Sequence, residues 1–221
     1  MWYLPSFLVL IGVILGPLAT WAGWVPPEIG FQSIFLPGVL LAIVSAIGFG
    51  AAAAIATALG RSWRRRAMLA AILPLLVTVW MLSYSQGAPA INDITTDLGN
   101  PPNFSVGELA DAPYDPRMAP IQKEAYPDLV SIEVPLTPSE AYARALETAR
   151  AMPGWELTYT DPASGTIQSR DRTRIFRFVD DVVIRVSAHE GGSQVDVRSR
   201  SHLGRGDLGA NAARIRAYRA A

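Results

Sequence analysis

The chain has 221 residues with 19 Lys and Arg against 19 Asp and Glu, a net charge of zero that conceals a sharp division. Residues 1–90 hold only Glu28 and the arginines Arg61, Arg64, Arg65 and Arg66, so residues 91–221 carry 15 basic and 18 acidic side chains, a net of −3. That balance excludes a general nucleic-acid-binding domain, which needs a basic excess to displace counterions from phosphates, and the absence of cysteine excludes disulfides, a thiol nucleophile and thiolate metal sites.

Residues 1–85 read as a transmembrane domain of three apolar helices. The first, about 2–21, is uncharged over a length that spans roughly 30 Å of hydrocarbon, and Trp2, Tyr3, Trp21 and Trp24 place amphipathic rings at its ends, as at membrane interfaces. It lacks the basic start and small-residue cleavage site of a signal peptide. The second, about 34–59, has small residues at Gly48 and Ala52 and at Gly50 and Ala54, spacings that let helix backbones approach closely in lipid. The third, about 67–84, contains Pro74, which predicts a kink.

Arg61, Arg64, Arg65 and Arg66 lie between the second and third segments, and positive loops stay in the cytoplasm. The expected protein is thus a multi-pass protein of a bacterial inner membrane, with its N-terminus cytoplasmic and its C-terminal domain periplasmic. No ionisable side chain falls inside a span, which argues against a transporter or pump.

Residues 86–127 are rich in Pro, Gly, Asn and Asp and are expected to form an extended linker. Residues 128–221 alternate strand and helix patterns. Val130, Ile132, Val134 and Leu136 recur at the period of a half-buried strand. Thr137, Pro138 and Glu140 form a capping box with proline at the first helical position, and Tyr142, Ala145, Leu146, Ala149 and Met152 make the buried stripe of the helix that follows. Trp155, Leu157 and Tyr159 predict a strand, residues 162–165 a turn, and residues 166–173 its partner. Val182, Ile184 and Val186 predict another strand, paired with Val195, Val197 and Ser199 through a hairpin turn at Gly191 and Gly192. A last helix begins at Asp207 as N-cap and buries Leu208, Ala212 and Ile215, with Arg214, Arg216 and Arg219 in its C-terminal half. The order predicts an α+β domain: a two-layer sandwich of an antiparallel sheet with helices on one face.

INDITTD at 91–97, MPGWE at 152–156, FVDDVVIRV at 178–186 and VDVRSRSHLGRGDLGANAARI at 195–215 together resemble the domain of unknown function 1499 family, over essentially the whole soluble part. The resemblance implies no particular activity. His202 stands where the family more usually has arginine, and Gly206 where it has serine.

A two-residue turn at Gly191 and Gly192 would pair residue 190 with 193, setting Arg185 opposite Arg198 and Val183 opposite Arg200, with Gln168, Arg170 and Arg172 alternating in the same sense. Like charges face each other only if acids or a ligand lie between them. Asp180, Asp181 and Asp196 can supply the acids in a charge ladder; alternatively Arg170, Arg185, Arg198 and Arg200 form an anion-binding face, with Arg205 beside the glycine-rich entry to the last helix. Asp180 and Asp181 point to opposite strand faces and cannot readily share a proton or ion unless a turn lies there, His189 and His202 have no metal-site spacing and read as solvent-exposed strand ends, and Asn92, Asp93 and Asp97 are candidate oxygen ligands that Asx turns explain as well. No metal or cofactor is expected. The leading expectation is a non-enzymatic, membrane-tethered module whose extracytoplasmic domain binds an anionic ligand or envelope component. The alternatives are a structural or accessory subunit of a membrane complex, and a hydrolase using Asp93, Asp180 or Asp181.

Overall fold

A computed structural model describes residues 3–84 and 87–221. Trp2, expected at the start of the first apolar segment, lies outside the described residues, as do residues 85–86 at the expected domain boundary. The chain divides into a helical unit, the N-terminal helices together with Arg174–Arg177, and a sheet unit formed by Gly87–Thr173 and Phe178–Ala221.

The helical unit contains α1 (Leu4–Trp21), α2 (Leu36–Ala58), entered through a π-helical stretch at Ile29–Phe35, and α3 (Arg64–Tyr84). Among the described residues, two helical segments are long and apolar enough to cross a membrane, Leu4–Trp21 and Ile29–Ala58. The third expected span, α3, opens on Arg64, Arg65 and Arg66 ahead of its apolar run. Within the chain, close backbone approach falls at glycines other than Gly48 and Gly50. A Cβ on Gly12 would lie 2.7 Å from the Gly38 Cα, and one on Gly16 would lie 2.6 Å from the Gly30 carbonyl oxygen, so glycine is what lets α1 meet the second helix. Gly60, with φ +60°, ends α2: its amide donates to Thr57 O and that of Arg61 to Ala56 O, the paired bonds of a Schellman motif. The Phe31 ring stacks on that of Phe35 at 5.7 Å, and Phe176 meets both edge-on at 5.1 Å.

The sheet unit is built on β1 (Asp93–Thr95), β2 (Ile132–Val134), β3 (Glu156–Asp161), β4 (Thr166–Arg172), β5 (Val179–His189) and β6 (Gly192–Ser201). All pairings are antiparallel in the order β1-β6-β5-β4-β3, and β2 takes the remaining length of the β6 edge that β1 shares. Three helices complete the unit: α4 (Met118–Ala125), α5 (Pro138–Ala151) and α6 (Ala210–Ala220). The capping box at Thr137 and Glu140 is present at the start of α5. Ala141, Ala145 and Ala149 of α5 and Ala212, Ile215 and Tyr218 of α6 pack on Ile167, Val182, Ile184, Val195 and Val197, forming one apolar core on one sheet face.

Three sequence expectations are corrected. Residues 86–127 are not a linker: they contain β1 and α4, and the stretch between these lies on the second sheet face, where Phe104, fully buried, and Leu109 pack on Val183. The β5–β6 turn is Glu190 and Gly191, not Gly191 and Gly192; His189 pairs with Gly192, and Gly191 takes φ +83°, as the third residue of a type II turn does. Gly192 is a strand residue held bare because a Cβ there would overlap the Val134 carbonyl at the end of β2. The last helix starts at Ala210, and Leu208 is 53 % exposed with φ +55° instead of buried. Asp207 still receives the first free amides, from Gly209 at 2.8 Å and Asn211 at 2.7 Å.

Candidate functional site

The corrected turn shifts β5 against β6 by two residues and changes what the arginines face. Arg185 lies opposite Asp196, Val183 opposite Arg198 and Asp181 opposite Arg200, so the expected arginine–arginine pair does not form. On the face turned away from α5 and α6, one row crosses five strands: Asp93, Arg200, Asp181, Arg170 and Glu156, successive partners on β1, β6, β5, β4 and β3. Its charges alternate, the arrangement cross-strand neighbours favour.

Arg198 is the anchor of this face. It is fully buried, donates to both Asp93 oxygens at 2.9 and 2.8 Å, and donates to the carbonyls of Pro102 at 3.0 Å and Ala112 at 3.2 Å. Its guanidinium carbon also stands 4.9 Å from the Phe104 ring centre and 5.7 Å from that of Tyr114, cation–π distances that fill the plane left open by the hydrogen bonds. Burial, then the Asp93 carboxylate nearby, pushes the Tyr114 phenol up to about 12, so it stays neutral. Gln168 acts similarly for the covering segment: its Oε1 accepts from the amides of Ser105 and Val106, and its Nε2 donates to Val106 O.

Two further networks close the ends of the sheet. Arg185 bridges Asp97 and Asp196, each at 2.9 Å, and Asp196 also accepts from Ser131, Gln194 and Thr96. On the helix-bearing face Arg214 of α6 reaches Asp180 at 2.7 Å, Asp171 at 2.9 Å, Ser199 and Asn211, and Asn211 in turn donates to Asn92 O and Ser201. Asp180 and Asp181 therefore belong to opposite faces and different cations.

Of the five residues singled out in the sequence, Arg198 and Arg185 are committed to carboxylates. Arg170 bonds Asp181 through Nε at 3.2 Å with 26 % of its side chain exposed, and Arg200 donates to Pro113 O and lies 3.6 Å from Asp93 with 29 % exposed. Arg205 is exposed in the loop after β6, where Asn92 bonds Gly204 O at 2.7 Å. His202, read as a solvent-exposed strand end, is instead 10 % exposed and lies between two carboxylates, Nε2 2.9 Å from Asp181 and Nδ1 3.1 Å from Glu108, in contact with the same acid as Arg170. Its neighbours come from distant segments, so spacing gave no sign of it. Among the described residues no group of three His, Asp or Glu side chains is placed to hold a metal ion. Asp93, Asp180 and Asp181, the carboxylates a hydrolase would use, are each engaged by an arginine and do not converge on a common point.

This defines the class: an α+β domain of antiparallel strands whose polar face is sealed by its own N-terminal segment through arginine–aspartate pairs. The family described as Protein of unknown function (DUF1499) matches residues 93–221, from the first residue of β1 through all six strands and α6, and the chain belongs to that family. No curated protein and no solved structure matches the chain.

Proposed function

We propose that the chain is a membrane-tethered, non-catalytic module that engages an anionic group of the cell envelope. In this reading all three N-terminal helices cross a bacterial inner membrane, residues 61–66 are cytoplasmic and the sheet unit is periplasmic. The observation that carries the binding part is the corner at the end of β6, where Arg170 and Arg200 keep part of their side chains exposed and Arg205 is exposed in the loop that follows, beside an otherwise neutralised face. Arg170 and Arg200 flank Asp181 on neighbouring strands, and such paired forks suit a phosphate or carboxylate. Arg185 and Arg198 serve to hold the fold in this scheme, not to bind.

The test is calorimetric titration of the full chain in non-ionic detergent with inorganic phosphate and, separately, with a short-chain phosphatidylglycerol. Saturable binding that weakens at least about tenfold, roughly 1.4 kcal/mol, in Arg200→Ala/Arg205→Ala but not in Arg150→Ala on α5 supports the reading. Binding of the lipid alone makes the ligand a headgroup, binding of both makes it a phosphate-bearing group in general, and no binding of either overturns it.

A second reading, a structural subunit of a membrane complex, is favoured by the outward side of α2. No described atom lies within 4 Å of a Cβ built on Gly48 or Gly50, while Val44, Ile47 and Ile55 are more than half exposed. Native mass measurement from nanodiscs decides it: a single-chain mass removes this reading.

A further inference from the structure

We infer that the connection between β4 and β5 is an interfacial lipid anchor: Ile175 enters the outer leaflet of the bilayer while Arg172, Arg174 and Arg177 lie among anionic headgroups. The connection is a closed, shaped turn. Thr173 N donates to Phe178 O and Phe178 N donates to Thr173 Oγ1, both at 2.9 Å, pinching off residues 174–177, and Arg177 is held at φ +54°, which a long side chain seldom adopts. The four residues pinched off are Arg-Ile-Phe-Arg. Ile175 is 59 % exposed, an uncovered branched apolar side chain at the tip, and Arg172, Arg174 and Arg177 are exposed around it without an acid between residues 172 and 179. An apolar tip ringed by cations matches the layering of a membrane surface, acyl chains below and anionic headgroups above.

The occupant is argued from the company the turn keeps. Arg174–Arg177 belong to the helical unit, where Phe176 completes an aromatic trio with Phe31 and Phe35 at the entry to the second apolar segment. Exposed Trp21 and Trp24, amphipathic rings of the kind that sit at headgroup level, lie between the two apolar segments on the side where the second begins, so residues beside its start are placed at the lipid interface. Sequential, antiparallel α2 and α3 also put the start of the second segment on the side from which the chain leaves α3.

The inference rests on the proposed membrane insertion of the helices, and the test separates the two. Because the chain has no cysteine, single cysteines at Ile175, at Ile47 on α2 and at Ala163 in the β3–β4 turn can each carry an environment-sensitive fluorophore. The full chain is placed in nanodiscs containing phosphatidylglycerol, and quenching is read with lipids carrying a nitroxide near the glycerol backbone for 175 and 163 and at mid-chain for 47, which lies deep in the proposed span. Quenching at 175 and 47 but not at 163 supports the anchor. Quenching at 47 while 175 behaves like 163 overturns the anchor alone, and no quenching at 47 overturns membrane insertion. Adding Arg174→Glu/Arg177→Glu should lower quenching at 175 and leave it unchanged at 47; equal quenching with and without the charge reversal overturns the role given to the arginines.

Discussion

Arg198 shows at the scale of one residue why this polar face is stable. A buried guanidinium is tolerated only if its charge is matched and its donors are used, and here Asp93, two carbonyls and two aromatic rings meet both needs. Removing one partner strands the other in an apolar setting, whereas replacing both removes the desolvation cost along with the attraction. Arg198→Ala is therefore expected to destabilise the sheet unit by about 3–5 kcal/mol, while Asp93→Leu/Arg198→Met recovers most of that loss. Urea unfolding of the full chain in non-ionic detergent measures both. A single variant that unfolds like the parent would show that the pair contributes little.

At the scale of elements, β2 is a three-residue strand whose place beside β6 depends on a glycine. A methyl group at residue 192 has nowhere to go against the Val134 carbonyl, so Gly192→Ala must push β2 away or distort the turn. Amide exchange at residues 132–134 should rise sharply, with residues 182–186 of β5 still protected; unchanged exchange at 132–134 would mean that β2 does not need the gap. The same glycine marks the limit of what the sequence told. Alternation of apolar residues located β3 through β6 and the stripes of α5 and α6, since burial against one face imposes a period of two or 3.6. The register was not legible, because Gly191 and Gly192 look alike as turn residues and differ only in that one takes positive φ and the other faces a carbonyl from a distant strand. The covering segment was missed for a related reason: its Pro, Gly and Asp residues satisfy the description of a linker, and only its contacts with Gln168 and Arg198, more than 60 residues later, make it part of the domain. Of the site, the arginines were legible as a row, but their carboxylate partners were assigned correctly only once the register was known.

For the whole molecule, the proposed crossing of all three helices fixes which side of the bilayer each loop faces. Exposed Ser62 lies between α2 and α3, and exposed Ala163 lies after α3. If all three helices span, cysteines placed at 62 and 163 in turn will face opposite sides of a proteoliposome, and an impermeant maleimide will label one before lysis and the other only after it. Labelling of both from one side would reduce the anchor to the first two helices. The strand order has a further consequence, for biosynthesis. Both β1 and β2, made early, pair with β6, near the end of the chain, and Asp93 waits for a cation 105 residues further on. Such non-local closure is slow and leaves early strands exposed in the meantime. As the domain emerges it cannot seal its first strand until the last has been delivered, so a stalled or truncated chain would carry an open sheet edge, an obvious mark for quality-control proteases.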